Sequence, residues 1–241
     1  MKTIVIIQAR MGSSRLPGKV LMPLGESCEL DYVVTRCRLI PSVDEVIVAT
    51  SLLPGDDAIS AWCEEHRVRC FRGSEDDVLS RYYECAVLFN PEYVIRVTAD
   101  CPFIDYELAG DIVEAMKRHP ADLVRLNGEL PRGLPVEMIT FKTLERIHAI
   151  AQEPRHREHV TYYAYEYPDQ FRATIVDVPE ELRFPKLRIT LDTIEDYALL
   201  CAVADAFPAR KDVSCRKVVR YLNEHPEVAV LNAHIEQKPV V

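Results

Sequence analysis

Short aliphatic runs alternate with stretches of helical spacing through the first half of the chain, and few folds accept that rhythm. Runs at 3–8, 45–50, 68–71 and 93–98 are each followed by a helical pattern, at 28–39, 57–65, 77–88 and 105–118. Two of the runs, Ile4-Val5-Ile6-Ile7 and Val46-Ile47-Val48, are continuously apolar instead of alternating. Strands buried on both faces of a parallel sheet read this way, because helices cover both sides. The first ~125 residues therefore predict a doubly wound α/β unit with a mostly parallel, Rossmann-like sheet. After Asn127 the pattern changes. A cluster of Gly128, Pro131, Gly133 and Pro135 opens a segment with a strand at 136–141, helices at 142–151 and 157–167, and an alternating strand at 172–178. We expect one domain over 1–241 with an insertion at 128–185. A strand at 187–191 is expected to return to the main sheet, with helices at 194–206 and 215–224 after it.

With 241 residues the chain can bury roughly 70% of its unfolded surface without a disulfide or a structural metal. Its 29 Lys and Arg against 38 Asp and Glu give a net charge of -9. That balance disfavours nucleic acid and anionic membrane surfaces as partners. No stretch reaches the length of a membrane span, and the first apolar run is too short for a signal peptide. The eight cysteines show no CxxC or zinc-knuckle spacing, so a reduced, cytoplasmic protein is expected.

The segment Gln8-Ala9-Arg10-Met11-Gly12-Ser13-Ser14-Arg15-Leu16-Pro17-Gly18-Lys19 leaves the C-terminal end of the first strand. Ligands of open α/β sheets bind at that end. Arg10, Arg15 and Lys19, the hydroxyls of Ser13 and Ser14, and the flexible backbone at Gly12 and Gly18 are suited to wrap a polyphosphate. The alternative is a solvated basic turn. Five residues separate Gly12 from Gly18 and Val20 follows Lys19, which excludes a Walker A loop, and no GxGxxG fingerprint is present. Lacking a Walker hydroxyl, a phosphate-bridging metal would need carboxylates from elsewhere. Asp100 and Asp192 each close an expected strand, and hard oxygen ligands at adjacent strand ends suit Mg²⁺. Each could instead cap the following helix, as Asp105 and Thr193 could.

Taken in order, residues 8–21, 76–82, 96–105, 157–161 and 191–193 resemble the cytidylyltransferase-like family of the spore-coat polysaccharide SpsF type, relatives of the CMP-KDO and CMP-sialate synthetases. The resemblance implies a GT-A-like nucleotide-diphosphosugar transferase fold, CTP as nucleotide donor, Mg²⁺, and a homodimer formed partly through the insertion. It further implies triphosphate binding by Arg10, Ser13, Arg15 and Lys19, and metal binding by Asp100 and Asp192. Base recognition would use backbone near Ala9 with Arg72, Ser74 and Asp77. In-line attack of an acceptor oxygen on the α-phosphorus would release pyrophosphate, with Arg10, Arg15, Lys19 and Asp100 as the catalytic set. The acceptor would be a small anion such as a sugar acid, taken up for surface polysaccharide synthesis. Its pocket would be closed by the 128–185 region with Arg132, Glu137, Arg155, Arg157, Glu158 and His159. In KDO synthetases the residue matching Ala99 is a glutamine, so the acceptor is left open.

Two other functions compete. A GT-A glycosyltransferase would commonly carry a DxD motif, and none occurs. A non-catalytic nucleotide-binding homologue would have no need to keep the loop cations and both carboxylates. The His156 to His159 cluster is not an HExxH motif, and acceptor binding or a structural hydrogen bond is expected of it. Tyr162 to Tyr167 is expected to pack or to form a dimer seam, and Trp62 to lie in the core.

Overall fold

The computed structural model describes residues 1–236. Strand β1 (Thr3–Gln8) lies near the middle of the main sheet, and Ile4, Val5, Ile6 and Ile7 are fully buried. After a small hairpin, β2 (Pro23–Leu24) and β3 (Ser27–Cys28), come α1 (Glu29–Arg38), β4 (Glu45–Ser51), α2 (Asp57–Glu65), β5 (Arg69–Gly73), α3 (Val78–Phe89), β6 (Tyr93–Thr98) and α4 (Tyr106–Arg118). The chain continues through β7 (Leu123–Asn127), β8 (Glu137–Thr140), α5 (Phe141–Ile150), α6 (Pro154–Glu158), α7 (Tyr162–Glu166), β9 (Ala173–Asp177), α8 (Ile194–Ala206) and α9 (Cys215–Glu224). The sheet order is β5-β4-β1-β6-β8-β7-β9, with β8 antiparallel to both neighbours and the other pairings parallel.

Alternation along β1 divides the interior into two layers. Val5 and Ile7 join Leu30, Val33 and Cys37 of α1, Ile59 of α2 and Ile112 of α4. Ile4 and Ile6 face Leu79, Tyr82 and Cys85 of α3 and Ile147 of α5 on the opposite side. A third cluster packs α8 and α9 against Leu24, Phe103, Ile189 and Leu191. The doubly wound α/β expectation therefore holds, with this third layer added beside it. The cysteines of the described residues are all free thiols.

Four local expectations are corrected. Residues 187–191 form no strand. Their only ladder element is an isolated bridge between Arg132 and Arg188, because β8 already occupies the edge of β6. Gly133, at φ +96°, permits the close approach, since a Cβ there would lie 2.1 Å from the Ile189 carbonyl oxygen. The helix expected at 157–167 is split into α6 and α7 by Val160 at φ 45°. Strand β7 and the β2–β3 hairpin are additions to the expected elements. Finally, the 128–185 region supplies β8 and β9 to the main sheet itself.

Candidate active site

The loop after β1 folds back on itself. The Met11 carbonyl accepts the N–H groups of Ser13 and Gly18, both at 2.9 Å, and the Ser13 hydroxyl accepts that of Leu16 at 3.3 Å. Gly18 takes the left-handed region at φ +72°, where a glycine is favoured. The loop is anchored from outside by Asp56, which accepts the Met11 N–H at 2.7 Å and the Ser51 hydroxyl at 2.5 Å. Burial acts to raise the Asp56 carboxyl, but these donors bring it below the usual aspartate value. Gly12 and Ser14 remain exposed.

Lys19 opens a short 3-10 turn and points inward. Its Nζ donates to Asp100 Oδ2 at 2.9 Å, Asp192 Oδ1 at 2.9 Å and the Leu191 carbonyl at 2.5 Å. Arg15 reaches the same Asp192 oxygen at 3.0 Å, while Arg188 holds Asp192 Oδ2 at 2.8 Å. The electrostatics follow from this packing. Burial would raise the Asp192 carboxyl, yet Lys19, Arg188 and Arg15 depress it to about 2. Burial would lower the Lys19 ammonium, and the Asp100 and Asp192 charges raise it above the usual lysine value. Asp100 is lowered against its own burial, mainly by Lys19.

The two carboxylates thus turn toward the loop instead of capping helices. Asp105 and Thr193 do the capping, Asp105 for α4 and Thr193, with Asp196, for α8. Asp192 ends an irregular segment, not a strand, and is set beside Asp100 by the 2.8 Å bond from Leu191 N–H to the Asp100 carbonyl. Arg10 stands apart from this cluster. It bonds Glu75 at 3.3 Å and lies 3.9 Å from Glu158 of α6, at the mouth between the loop and the α6 segment.

The residues expected near a base carry structural bonds. Arg72 spends its fork on the Ser51 and Leu53 carbonyls and on Asp57. Ser74 accepts the Asp77 N–H at 3.1 Å, and Asp77 caps α3 while pairing with Arg157. Ala9 is buried, and its N–H bonds the Ala49 carbonyl at 3.1 Å. Of the residues expected around an acceptor, Glu137 holds Arg96 at 2.7 Å and accepts the Thr161 hydroxyl at 2.6 Å. The Arg96 Nε atom, and Gln8 Oε1 on β1, are buried with no partner among the described residues. Arg155 is spent on Glu153 and Glu166, Arg132 is exposed, and His156 makes a structural 2.5 Å bond to Glu166. Trp62 packs partly buried against the core, stacked on His66. Tyr163 packs likewise, but Tyr165 is 40% exposed.

Two features escaped the sequence reading. Arg188, Asp192 and Asp196 recur at a spacing of four and form one buried cluster, a regularity visible in the sequence. Glu29, fully buried with both oxygens unpartnered among the described residues, carries no such signal. Among the described residues no set of three or more His, Cys, Asp or Glu side chains gathers tightly enough to hold a metal.

A cytidylyltransferase family model matches residues 4–234. The spore coat polysaccharide biosynthesis protein SpsF of Bacillus subtilis is 38% identical, over 94% of this chain and 96% of its own. A cytidylyltransferase from Leptospira borgpetersenii superposes with a TM-score of 0.88 at 30% identity, covering 99% of this chain and 100% of that one. A CMP-2-keto-3-deoxy-manno-octonic acid synthetase complexed with CTP shares the fold, with a TM-score of 0.64 at 18% identity over 86% of this chain and 99% of its own. With the family model and a full-length relative both in agreement, this chain belongs to the cytidylyltransferase family and is a nucleotidyltransferase.

Proposed function

We propose that the protein transfers CMP from CTP to an anionic acceptor of the sugar-acid class, releasing pyrophosphate, in the synthesis of a surface polysaccharide. The observation that carries this reading is the meeting of Lys19, Asp100 and Asp192 at the C-terminal ends of β1 and β6. Support for the nucleotide comes from the CTP named for the solved synthetase, and support for the pathway from the SpsF relative.

The donor set fits Mg²⁺. Two hard carboxylate oxygens converge on one point, and that point is held by the Lys19 ammonium, a cation standing in for another. Asp100 and Asp192 would hold the ion. When bound, Mg²⁺ would screen the phosphate charge that opposes an incoming oxygen. The protein's own groups do the positioning. Lys19 leaves the carboxylates for the triphosphate, and Arg15 moves with it, so both cations neutralise the departing pyrophosphate. Backbone N–H groups at exposed Gly12 and Ser14, with the Ser13 hydroxyl, orient the phosphates. Arg10 closes the mouth between nucleotide and acceptor. The base is read by backbone near Ala9 and by the 72–77 turn, which Arg72, Ser74 and Asp77 hold in shape. Arg96, Glu137 and Thr161 form the floor of the acceptor side.

The 128–185 region covers that floor and contributes to a homodimer, working in the cytoplasm. Edge strand β9, with Ile175 59% exposed, supports the dimer. Light scattering after gel filtration would return twice the chain mass.

Thermal unfolding with CTP, UTP, ATP and GTP, each with and without Mg²⁺, tests the core of this reading. A ligand at ~100 times its dissociation constant adds about 2.7 kcal/mol. The expected result is a rise with CTP and Mg²⁺ alone. No rise with any triphosphate, or a rise only with nucleotide sugars, would reject it in favour of a glycosyltransferase or a non-catalytic binder.

A further inference from the structure

Behind Asp192 a chain of buried polar groups extends to residues distant in sequence. Arg188 donates to Asp192 Oδ2 at 2.8 Å and forks onto both oxygens of Asp196, at 2.8 and 3.0 Å. Asp196 is fully buried and also accepts the backbone N–H groups of Asp192 at 2.9 Å and Thr193 at 3.1 Å. Asn232 closes the chain, donating Nδ2 to Asp196 Oδ1 at 2.8 Å and to the Arg188 carbonyl at 3.0 Å. It is 1% exposed.

This arrangement exceeds what a helix start requires. The capping box of α8 is made by the Thr193 and Asp196 side chains and does not involve Arg188 or Asn232. Burying charges is unfavourable unless each is paired in good geometry, and an apolar packing would be cheaper. The chain of bonds instead ends at a carboxylate. Asp196 fixes the Asp192 main chain directly and its side chain through Arg188. With Oδ2 pinned by Arg188, Oδ1 is left aimed at the point that Lys19 occupies.

We propose that Asn232 and Asp196 are positioning residues that act through Arg188 to aim Asp192 Oδ1 at the cation position. The proposal rests on the cytidylyltransferase reading of Asp192. Outer partners of this kind typically change metal affinity by 10- to 100-fold when removed.

The test measures free Mn²⁺ by electron paramagnetic resonance during titration of the full chain with saturating CTP, for wild type, Asn232→Ala and Arg188→Lys. Thermal unfolding without metal reports on folding separately. Both variants are expected to take up Mn²⁺ about tenfold more weakly than wild type while unfolding cooperatively. If wild type takes up no Mn²⁺ with CTP, the function reading fails and the proposal falls with it. If wild type binds and the variants bind equally, with only their unfolding temperature lowered, the network is structural and the proposal alone is overturned. Weakening by Asn232→Ala without weakening by Arg188→Lys overturns the route through Arg188. Should either variant fail to fold, the other decides.

Discussion

The Lys19 ammonium and the Asp192 carboxylate, 173 residues apart in sequence, meet at 2.9 Å with only 11% and 12% of their side chains exposed. A loop lysine read as a phosphate ligand is thus held, in the protein alone, by the carboxylates read as metal ligands. On the proposed reading, substrate binding exchanges these partners.

Lys19→Met removes the cation and leaves Asp100 and Asp192 facing each other. Breaking a buried pair from one side costs about 3 kcal/mol, so urea denaturation at pH 7 should show a loss of that order. Turnover should vanish. The same variant should take up Mn²⁺ without nucleotide more tightly than wild type, because the cation position is vacated. Unchanged stability and unchanged metal affinity would contradict the exchange.

Acid should release the network in a defined window. The Asp192 carboxyl is depressed to about 2 against an ordinary aspartate value of 3.8. A folded-state value below the unfolded one stabilises the protein above pH 3.8, and that contribution drains away as pH falls through about 2. Between pH 5 and pH 2, wild type should lose about 2 kcal/mol more than Asp192→Asn, because the carboxyl is held nearly two pKa units low at about 1.4 kcal/mol each. Parallel denaturation curves for the two proteins would contradict this.

Glu29 should behave in the opposite sense. Burial, reinforced by the charge of Asp100, holds its carboxyl well above the ordinary value of 4.5, with Lys19 acting the other way. Protonated when folded and ionised when unfolded, it disfavours folding increasingly as pH rises above 4.5. Glu29→Gln should match wild type near pH 4 and become more stable than wild type as pH rises above 4.5. A pH-independent difference between the two would count against a neutral Glu29.

Asp77 caps α3 and pairs with Arg157 of α6. Asp77→Ala should cost about 2 kcal/mol, at the upper end for a cap because the Arg157 partner is lost with it. The preference for CTP over UTP in thermal shifts should persist, since Arg72 and the backbone N–H of residue 77, bonded to Ser74, still hold the 72–77 turn without the Asp77 side chain. Loss of that preference without loss of stability would return Asp77 to direct base contact.

How much of this was legible in the sequence depended on whether a signal was local. Ile4 to Ile7 announced a strand buried on both faces, and the cation-rich loop after it drew attention to Lys19, which the structure places against Asp100 and Asp192. Residues 187–191 misled because Ile189 and Leu191 are apolar for a different reason: they fill the third core beside α8 and α9. The break at Val160 could not be read, since it requires a left-handed backbone at a β-branched residue, which propensity alone disfavours. Strand β7 is short, with Arg125 among its five residues, and a pattern so brief does not stand out. That Asp100 and Asp192 would converge on the lysine itself is a tertiary fact, set by the pairing of Leu191 with the Asp100 carbonyl.

The sheet order also carries a consequence for synthesis. Strands β5, β4, β1 and β6 all lie within residues 3–98, so a nascent chain can assemble the cradle of the loop well before Asp192 leaves the ribosome. During that interval Arg15 and Lys19 have no Asp192 to neutralise them. Of the two carboxylates that hold Lys19, Asp100 is then the one already made, and the charge balance of the cluster is completed only when the last quarter of the chain brings Arg188 and Asp192.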